Sequence, residues 1–147
     1  MKLHKVFTRT GKASRLIGDA IGGGYFRAEK KEQLRQLKKI AAGLAGIYKV
    51  TTPKVEHAIE AVPGGAYACY RPMIKTISIK NTSLVSFLHE YRHHLQYEKK
   101  TFHDASLDIE HDAQAWACSV YYNAKPGLFK KAVQQGRIMG VTAADLA

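Results

Sequence analysis

Apolar side chains in the middle of the chain recur with the period of an α-helix. They occupy positions spaced i, i+4, i+7 and i+11, namely Leu84, Leu88, Tyr91 and Leu95. This pattern predicts an amphipathic helix that buries the four side chains in a core. Residues 81–83 (Asn-Thr-Ser) offer N-cap candidates before it, and Lys99 and Lys100 suit its C-terminal end.

A second helix is predicted around residues 108–117, where two neighbouring faces differ in character. The apolar face consists of Ile109, Ala113, Trp116 and Val120. The adjacent face carries Glu110, Gln114, Ala117 and Tyr121. Two more helices are predicted, at residues 28–50 and 128–135, together with a short last turn at residues 142–144.

A pair of strands is predicted between the helix at residues 28–50 and the helix that begins at Leu84. Residues 65–71 alternate and are rich in aromatics, and residues 75–80 alternate polar and apolar side chains. Pro72 turns the chain between them. The second strand runs directly into the helix of Leu84, so the chain is predicted to be an α+β protein with a hairpin beside that helix.

The polar side of the helix predicted from Leu84 to Leu95 carries the most informative motif, His-Glu-Tyr-Arg-His at residues 89–93. His89 and His93 lie four residues apart, so one helix can present both imidazoles to one metal ion. Both lie about 130–170° from the apolar stripe, on the side that can face a cleft. Glu90, between them, is placed to take a proton from a metal-bound water as a general base.

A catalytic zinc ion takes three protein ligands, so a third must come from elsewhere. The preferred candidate is Glu110, 17 residues after His93 in the second predicted helix. Gln114, one turn further, could support a ligating side chain through a hydrogen bond. Asp112 lies about 160° from Glu110 around the helix, so only one of these two carboxylates can face the metal.

Together, the motif and the segment Glu-His-Asp-Ala-Gln-Ala-Trp-Ala at residues 110–117 resemble the gluzincin metallopeptidases. The nearest pattern is that of the ImmA/IrrE-type peptidases of phages and mobile elements, with H-E-x-x-H followed by E-x-E-A-N-x-F-A. Direct matches are Glu110, Ala113 and Ala117. Asp112 and Trp116 match in kind, whereas Gln114 replaces the usual Asn or Asp. The small minigluzincins share much of this signature, and the resemblance covers roughly residues 65–122.

This resemblance implies a zincin-like fold, in which a small antiparallel or mixed sheet packs on the HExxH helix and a glutamate helix. It implies Zn²⁺ on His89, His93 and Glu110, with Glu90 as the base in hydrolysis of a peptide bond. In such enzymes an exposed edge strand, expected here at residues 75–80, receives the substrate backbone. The resemblance also implies a regulatory protein substrate in a phage or mobile-element setting.

Two alternatives remain open at this stage. A three-histidine site using His103 or His111 would be similar to the SprT-like proteases that act near DNA. A basic nucleic-acid-binding or regulatory protein could instead keep a zinc site for structure. The formal charge of +11 and pI of about 9.7 favour a polyanionic or acidic partner, and the helix at residues 28–50 carries many of the bases.

Length and composition set the remaining expectations. With 147 residues, the chain is predicted to form one domain over residues 28–147, preceded by a basic, flexible arm at residues 1–27. Neither a membrane span nor a secretory signal is predicted, and Cys69 and Cys118 are expected to be reduced, as in a cytoplasmic protein. The donor for a tetrahedral oxyanion is left open among five side chains: His94, His103, Tyr121, Tyr122 and Arg137.

Overall fold

The computed structural model describes residues 11–100 and 107–146, and within these ranges the chain is an α+β protein. Its five helices are α1 (Gly11–Ala20), α2 (Lys30–Tyr48), α3 (Leu84–Lys99), α4 (Ile109–Ala124) and α5 (Pro126–Gln134). Its three strands are β1 (Lys54–His57), β2 (Ala68–Arg71) and β3 (Thr76–Ile79). The α+β prediction is therefore confirmed.

The sheet is mixed, in the order β1-β3-β2. Strands β2 and β3 pair antiparallel, as the predicted hairpin requires, with Tyr70 opposite Ile77. Strand β1 was not predicted, and it pairs parallel to β3 with Val55 opposite Ile77. Strand β3 is consequently central and fully buried, so the prediction that residues 75–80 form an exposed edge strand is wrong, and the edges are β1 and β2.

The core lies between the sheet and the helices, and α3 crosses its centre. All four residues of the predicted stripe are buried: Leu84, Leu88, Tyr91 and Leu95. Helix α4 packs along α3, with Trp116 stacked on Tyr91 at a ring-centroid distance of 6.4 Å. The apolar face predicted for α4 is buried except at Ile109, which lies in the first turn and is 38% exposed.

The N-terminal segment differs from the predicted arm. Residues 11–20 form α1, which packs on α2 and α4 and buries Ile17 in the core. Tyr25 is also buried, and its hydroxyl donates to the Thr82 carbonyl oxygen over 2.6 Å. A flexible arm is therefore wrong for residues 11–27, and the folded unit begins before residue 28. Residues 1–10 of the predicted arm lie outside the described residues.

The other predicted elements have their expected places. Helix α2 matches the predicted 28–50 helix and buries the face that includes Leu37, Ala41 and Leu44. Helix α5 begins two residues earlier than predicted, with Pro126 in its first turn, and a short 3-10 turn follows at Ala143–Leu146. Among the described helices, none has the length and apolarity that crossing a membrane requires.

Candidate metal centre

Helix α3 presents His89 and His93 on one side, where α4 passes it. The helix begins at a capped end, because the Ser83 hydroxyl accepts a hydrogen bond from the backbone N–H of Ser86 over 3.3 Å. Its apolar stripe fixes the rotation of the helix in the core, so the two histidines lie on the other side of the helix from the stripe. The imidazole ring centroids lie 4.9 Å apart, as expected for residues one turn apart.

Glu110 reaches this pair from the first turn of α4. The Asp108 carboxylate caps that helix by accepting from the backbone N–H of His111 over 2.8 Å. Glu110 Oε2 lies 3.1 Å from His89 Nε2, and Glu110 Oε1 lies 3.1 Å from His93 Nε2. A single carboxylate thus spans both imidazoles, while its side chain remains 69% exposed.

Two glutamine amides hold the opposite nitrogens of the rings. His89 Nδ1 lies 2.8 Å from Gln114 Oε1, and His93 Nδ1 lies 2.7 Å from Gln96 Oε1. The amide nitrogens donate elsewhere, Gln114 to the Met139 carbonyl oxygen over 2.9 Å and Gln96 to acceptors on α4. These bonds orient each amide with its oxygen toward the ring. Each Nδ1 must then be the protonated nitrogen, because it donates to that oxygen.

Behind His93 the hydrogen-bond network continues into the core. Gln96 Nε2 donates to Asp112 Oδ2 over 2.8 Å, and Arg92 Nε donates to the same oxygen over 2.8 Å. Arg92 and Asp112 are a buried ion pair, with side chains 3% and 0% exposed. The Arg92 guanidinium also lies over the Trp116 ring at 5.6 Å. Asp112 is therefore committed to Arg92 and Gln96 and does not join the histidine pair.

The donor set fits a zinc ion. With both Nδ1 atoms donating, each Nε2 carries a lone pair directed at a Glu110 oxygen, and such atoms repel unless a cation or a proton lies between them. Imidazole nitrogens and a carboxylate oxygen are usual zinc ligands, and ligands of a tetrahedral zinc ion lie about 3.3 Å apart. The two observed nitrogen–oxygen separations of 3.1 Å are close to that value.

Glu90 is a second carboxylate beside the pair, and it is half-buried. One of its oxygens and one ring nitrogen of each histidine lie within 4.8 Å of one another. Burial raises the pKa of Glu90 to about 7; the neighbouring His93 opposes this rise, Glu110 reinforces it, and a hydrogen bond from the Tyr70 backbone lowers the pKa. Of the two carboxylates, Glu110 is the better candidate for a third ligand, because its oxygens lie 3.1 Å from both Nε2 atoms.

Comparisons with protein-family models, curated proteins and solved structures find no match for this chain. The site must therefore be interpreted from its own geometry.

The other described candidates for a third ligand have partners elsewhere. His111 is exposed, and its Nδ1 lies 2.8 Å from the Asp108 carboxylate, an exposed pair at the start of α4. Asp112 points into the core toward Arg92. His103 lies outside the described residues. Among the described candidates, Glu110 is the one that the structure brings to His89 and His93.

The structure also separates the candidate oxyanion donors. Both ring nitrogens of buried His94 are engaged, Nδ1 with the Tyr70 hydroxyl and Nε2 with the Thr51 carbonyl oxygen, each at 2.7 Å. This leaves His94 without a free donor. Tyr121 and Arg137 line a cavity together with Met139, whose carbonyl oxygen accepts from Gln114.

Sequence reasoning missed Gln96 and Tyr70. Gln96 follows His93 by three residues on the same helix, a spacing that brings side chains together, so the signal was present in the sequence. Tyr70 comes from strand β2, and its backbone contact with Glu90 depends on how the sheet packs against α3. That contact has no local sequence signal.

Proposed function

We propose that this chain is a zinc-dependent metallopeptidase that cleaves an internal peptide bond of a protein or peptide. One observation carries the proposal: the Glu110 carboxylate lies 3.1 Å from the Nε2 atoms of both His89 and His93, whose Nδ1 atoms are held by amide oxygens. A polar cluster without a metal gives no reason for both histidines to be held in the same tautomer with their Nε2 atoms directed at one carboxylate.

In this proposal His89, His93 and Glu110 hold the zinc ion, which supplies Lewis acidity when bound. Glu90 acts as the general base, taking a proton from the attacking water and passing it to the leaving amine. Its position supports this role, because one of its carboxylate oxygens lies within 4.8 Å of a ring nitrogen of each histidine. Gln96 and Gln114 keep the two rings in their ligating orientation.

The position of strand β2 supports a peptide substrate. It is an edge of the sheet, and it packs against α3. Its residue Tyr70 contacts the proposed base Glu90 through the backbone. An extended peptide could pair with this edge and bring one of its carbonyl groups to the metal centre, a common mode of peptide binding. The resemblance to the ImmA/IrrE-type peptidases favours a regulatory protein as the substrate.

The first test is the zinc content of the purified protein, measured by mass spectrometry beside two ligand variants, His93→Ala and Glu110→Ala. We expect close to one zinc ion per chain and loss of zinc in both variants. Glu60→Gln, which removes an exposed acid, serves as the control and should retain zinc. Retention of zinc by Glu110→Ala would assign the third ligand to another residue. Absence of zinc after reconstitution would overturn the proposal.

Catalysis is tested separately with Glu90→Gln. This variant should retain zinc and cleave a denatured protein mixture at least about 100-fold more slowly, because a general base contributes about 10²–10⁴-fold to such reactions. Cleavage products are identified by peptide mass spectrometry. A protein that binds zinc but cleaves nothing, with or without Glu90, would instead be a zinc-stabilised binding protein.

A further inference from the structure

A cavity of about 660 Å³ lies at the N-terminal end of α3, bordered by Tyr121 of α4 and by the segment after α5. Val85 and Ser86, from the first turn of α3, line one side, and Tyr121 of α4 lines another. The chain segment after α5, from Gly136 to Met139, closes it. None of the proposed metal ligands lines it, and its link to the histidine pair is Met139, whose carbonyl oxygen accepts from the Gln114 amide.

Counted along the helices, the cavity lies about one turn from His89 on α3 and about three turns from Glu110 on α4. Val85 precedes His89 by four residues, so both lie on one face of α3. Tyr121 follows Gln114 by seven residues on the Glu110 face of α4. The segment that closes the cavity is attached to the site as well, because the Met139 carbonyl accepts from Gln114. A chain bound at the metal can therefore extend a side chain or a terminus into this cavity.

The charge on the lining of the cavity is positive. Arg137 is the one lining residue with a permanent charge, and no Asp or Glu lines it. Within the described ranges, no carboxylate forms an ion pair with the Arg137 guanidinium. The guanidinium lies close enough to Tyr121 for its charge to oppose the rise that burial causes in the pKa of that hydroxyl. The N-terminal end of α3 adds partial positive charge at the same wall.

Exposed apolar side chains surround these polar groups. Phe26, Tyr67 and Met139 line the cavity with exposed fractions of 44%, 59% and 80%. The surface of a monomeric protein rarely gathers large apolar side chains around a single cation without a binding function. A ligand with an apolar body and one anionic group matches both features of this lining.

We propose that this cavity binds a carboxylate of the substrate through Arg137, either the side chain of an Asp or Glu residue or a free C-terminus. The role in substrate selection rests on the proposed peptidase activity, whereas the binding of a carboxylate does not. An anionic substrate also suits the chain's net charge of +11.

The test uses two probe pairs that differ only in charge. N-acetyl-phenylalanine and its amide represent a C-terminus, and N-acetyl-glutamate α-amide and N-acetyl-glutaminamide represent a side chain. Binding is measured from backbone NMR shifts of Ser86 and Arg137, in the purified protein and after treatment with phenanthroline. In one of the two probe pairs, we expect the carboxylate to bind about tenfold more tightly than the matching amide, because a hydrogen bond to a charged group is stronger than one to a neutral group.

Arg137→Gln should abolish this preference, whereas Lys131→Gln, which removes an exposed cation of α5, should retain it. The preference should survive phenanthroline. Equal preference in wild type and Arg137→Gln would overturn the proposal, and so would a preference lost on chelation, because the carboxylate would then be binding the metal. If the preference persists in a protein that cleaves no peptide, the carboxylate site stands and the proposed peptidase activity falls.

Discussion

The two histidines of the metal centre differ in what holds them from behind. His93 is held by Gln96, which is bound in turn to the buried pair of Asp112 and Arg92. His89 is held by Gln114, whose amide ends on the carbonyl of Met139, a residue 80% exposed in the segment after α5. His93 is thus connected to the buried pair of Arg92 and Asp112, whereas His89 is connected to a segment at the surface.

This difference indicates one fixed ligand and one adjustable ligand. A buried ion pair has few alternative arrangements, because separating its charges leaves each of them unpaired in a medium of low polarity. A segment at the surface moves at lower cost than a buried ion pair, even though Ile138 and Val141 beside Met139 are buried. His93 is therefore expected to keep its orientation when the metal is removed, whereas His89 depends on where the Met139 segment lies.

The largest effect should come from Asp112→Ala. It leaves the buried Arg92 guanidinium without its counter-charge, which should lower the free energy of unfolding by about 3–5 kcal/mol. The corresponding fall in Tm is roughly 10 °C for a chain of this size. Denaturant unfolding of the metal-free protein measures the first quantity, and thermal unfolding the second.

The matched control is Glu32→Ala, which breaks the exposed ion pair with Arg35 on α2. Exposed pairs contribute about 1 kcal/mol or less, so this variant should unfold almost as the wild type does. If Asp112→Ala and Glu32→Ala lowered the free energy of unfolding by similar amounts, the ion pair of Arg92 and Asp112 would stabilise the protein no more than a surface pair does. The comparison between the two histidines would then fail.

A smaller effect on stability should distinguish Gln96 from Gln114. Gln96→Ala and Gln114→Ala should each weaken zinc binding by about 10–100-fold, as is typical when a hydrogen bond to a ligating histidine is lost. Gln96→Ala should also destabilise the metal-free protein by about 1–3 kcal/mol, because it removes hydrogen-bond partners from buried groups. Gln114 is half-buried, so water can replace its amide and stability should change little.

Competition with a chelator measures the zinc affinities, and denaturant unfolding measures the stabilities. Equal losses of stability in the two glutamine variants would contradict the distinction between a fixed and an adjustable ligand. Unchanged zinc affinity in both would mean that the amides do not orient the rings.

Much of the site could be predicted from the sequence because helical spacing is a local property. The i, i+4 spacing predicted that His89 and His93 share a face, and the structure brings Glu110 to both. The rotation of α4 likewise separates Asp112 from Glu110, as predicted. The contact of Tyr70 with Glu90 could not be predicted, since it depends on how a strand packs against a helix.

The fold shows the same limit. Helices α2 and α3 have long periodic patterns, and each was predicted within a few residues of its ends, whereas α4 ends seven residues beyond the predicted segment, at Ala124. Strand β1 has four residues and one buried apolar position, and its partner lies about twenty residues further along the chain. A parallel pairing of that kind has no local signal. Helix α1 was predicted as part of a flexible arm because its basic residues and glycines obscured Ala13 and Ile17, which enter the core.

The smallest effect should come from the segment that supports His89. Gly140, directly after Met139, has φ +78 and no atom near its Cβ position, so Gly140→Ala introduces backbone strain without a clash. That strain costs about 1–2 kcal/mol. Gly64→Ala is the control, since Gly64 has ordinary φ and the same open surroundings. If the Met139 carbonyl orients Gln114, Gly140→Ala should weaken zinc binding less than tenfold, whereas Gly64→Ala should leave it unchanged. A Gly140→Ala protein that is destabilised but has wild-type zinc affinity would show that His89 does not depend on this segment, and both histidines would then be fixed by α3 and α4 alone.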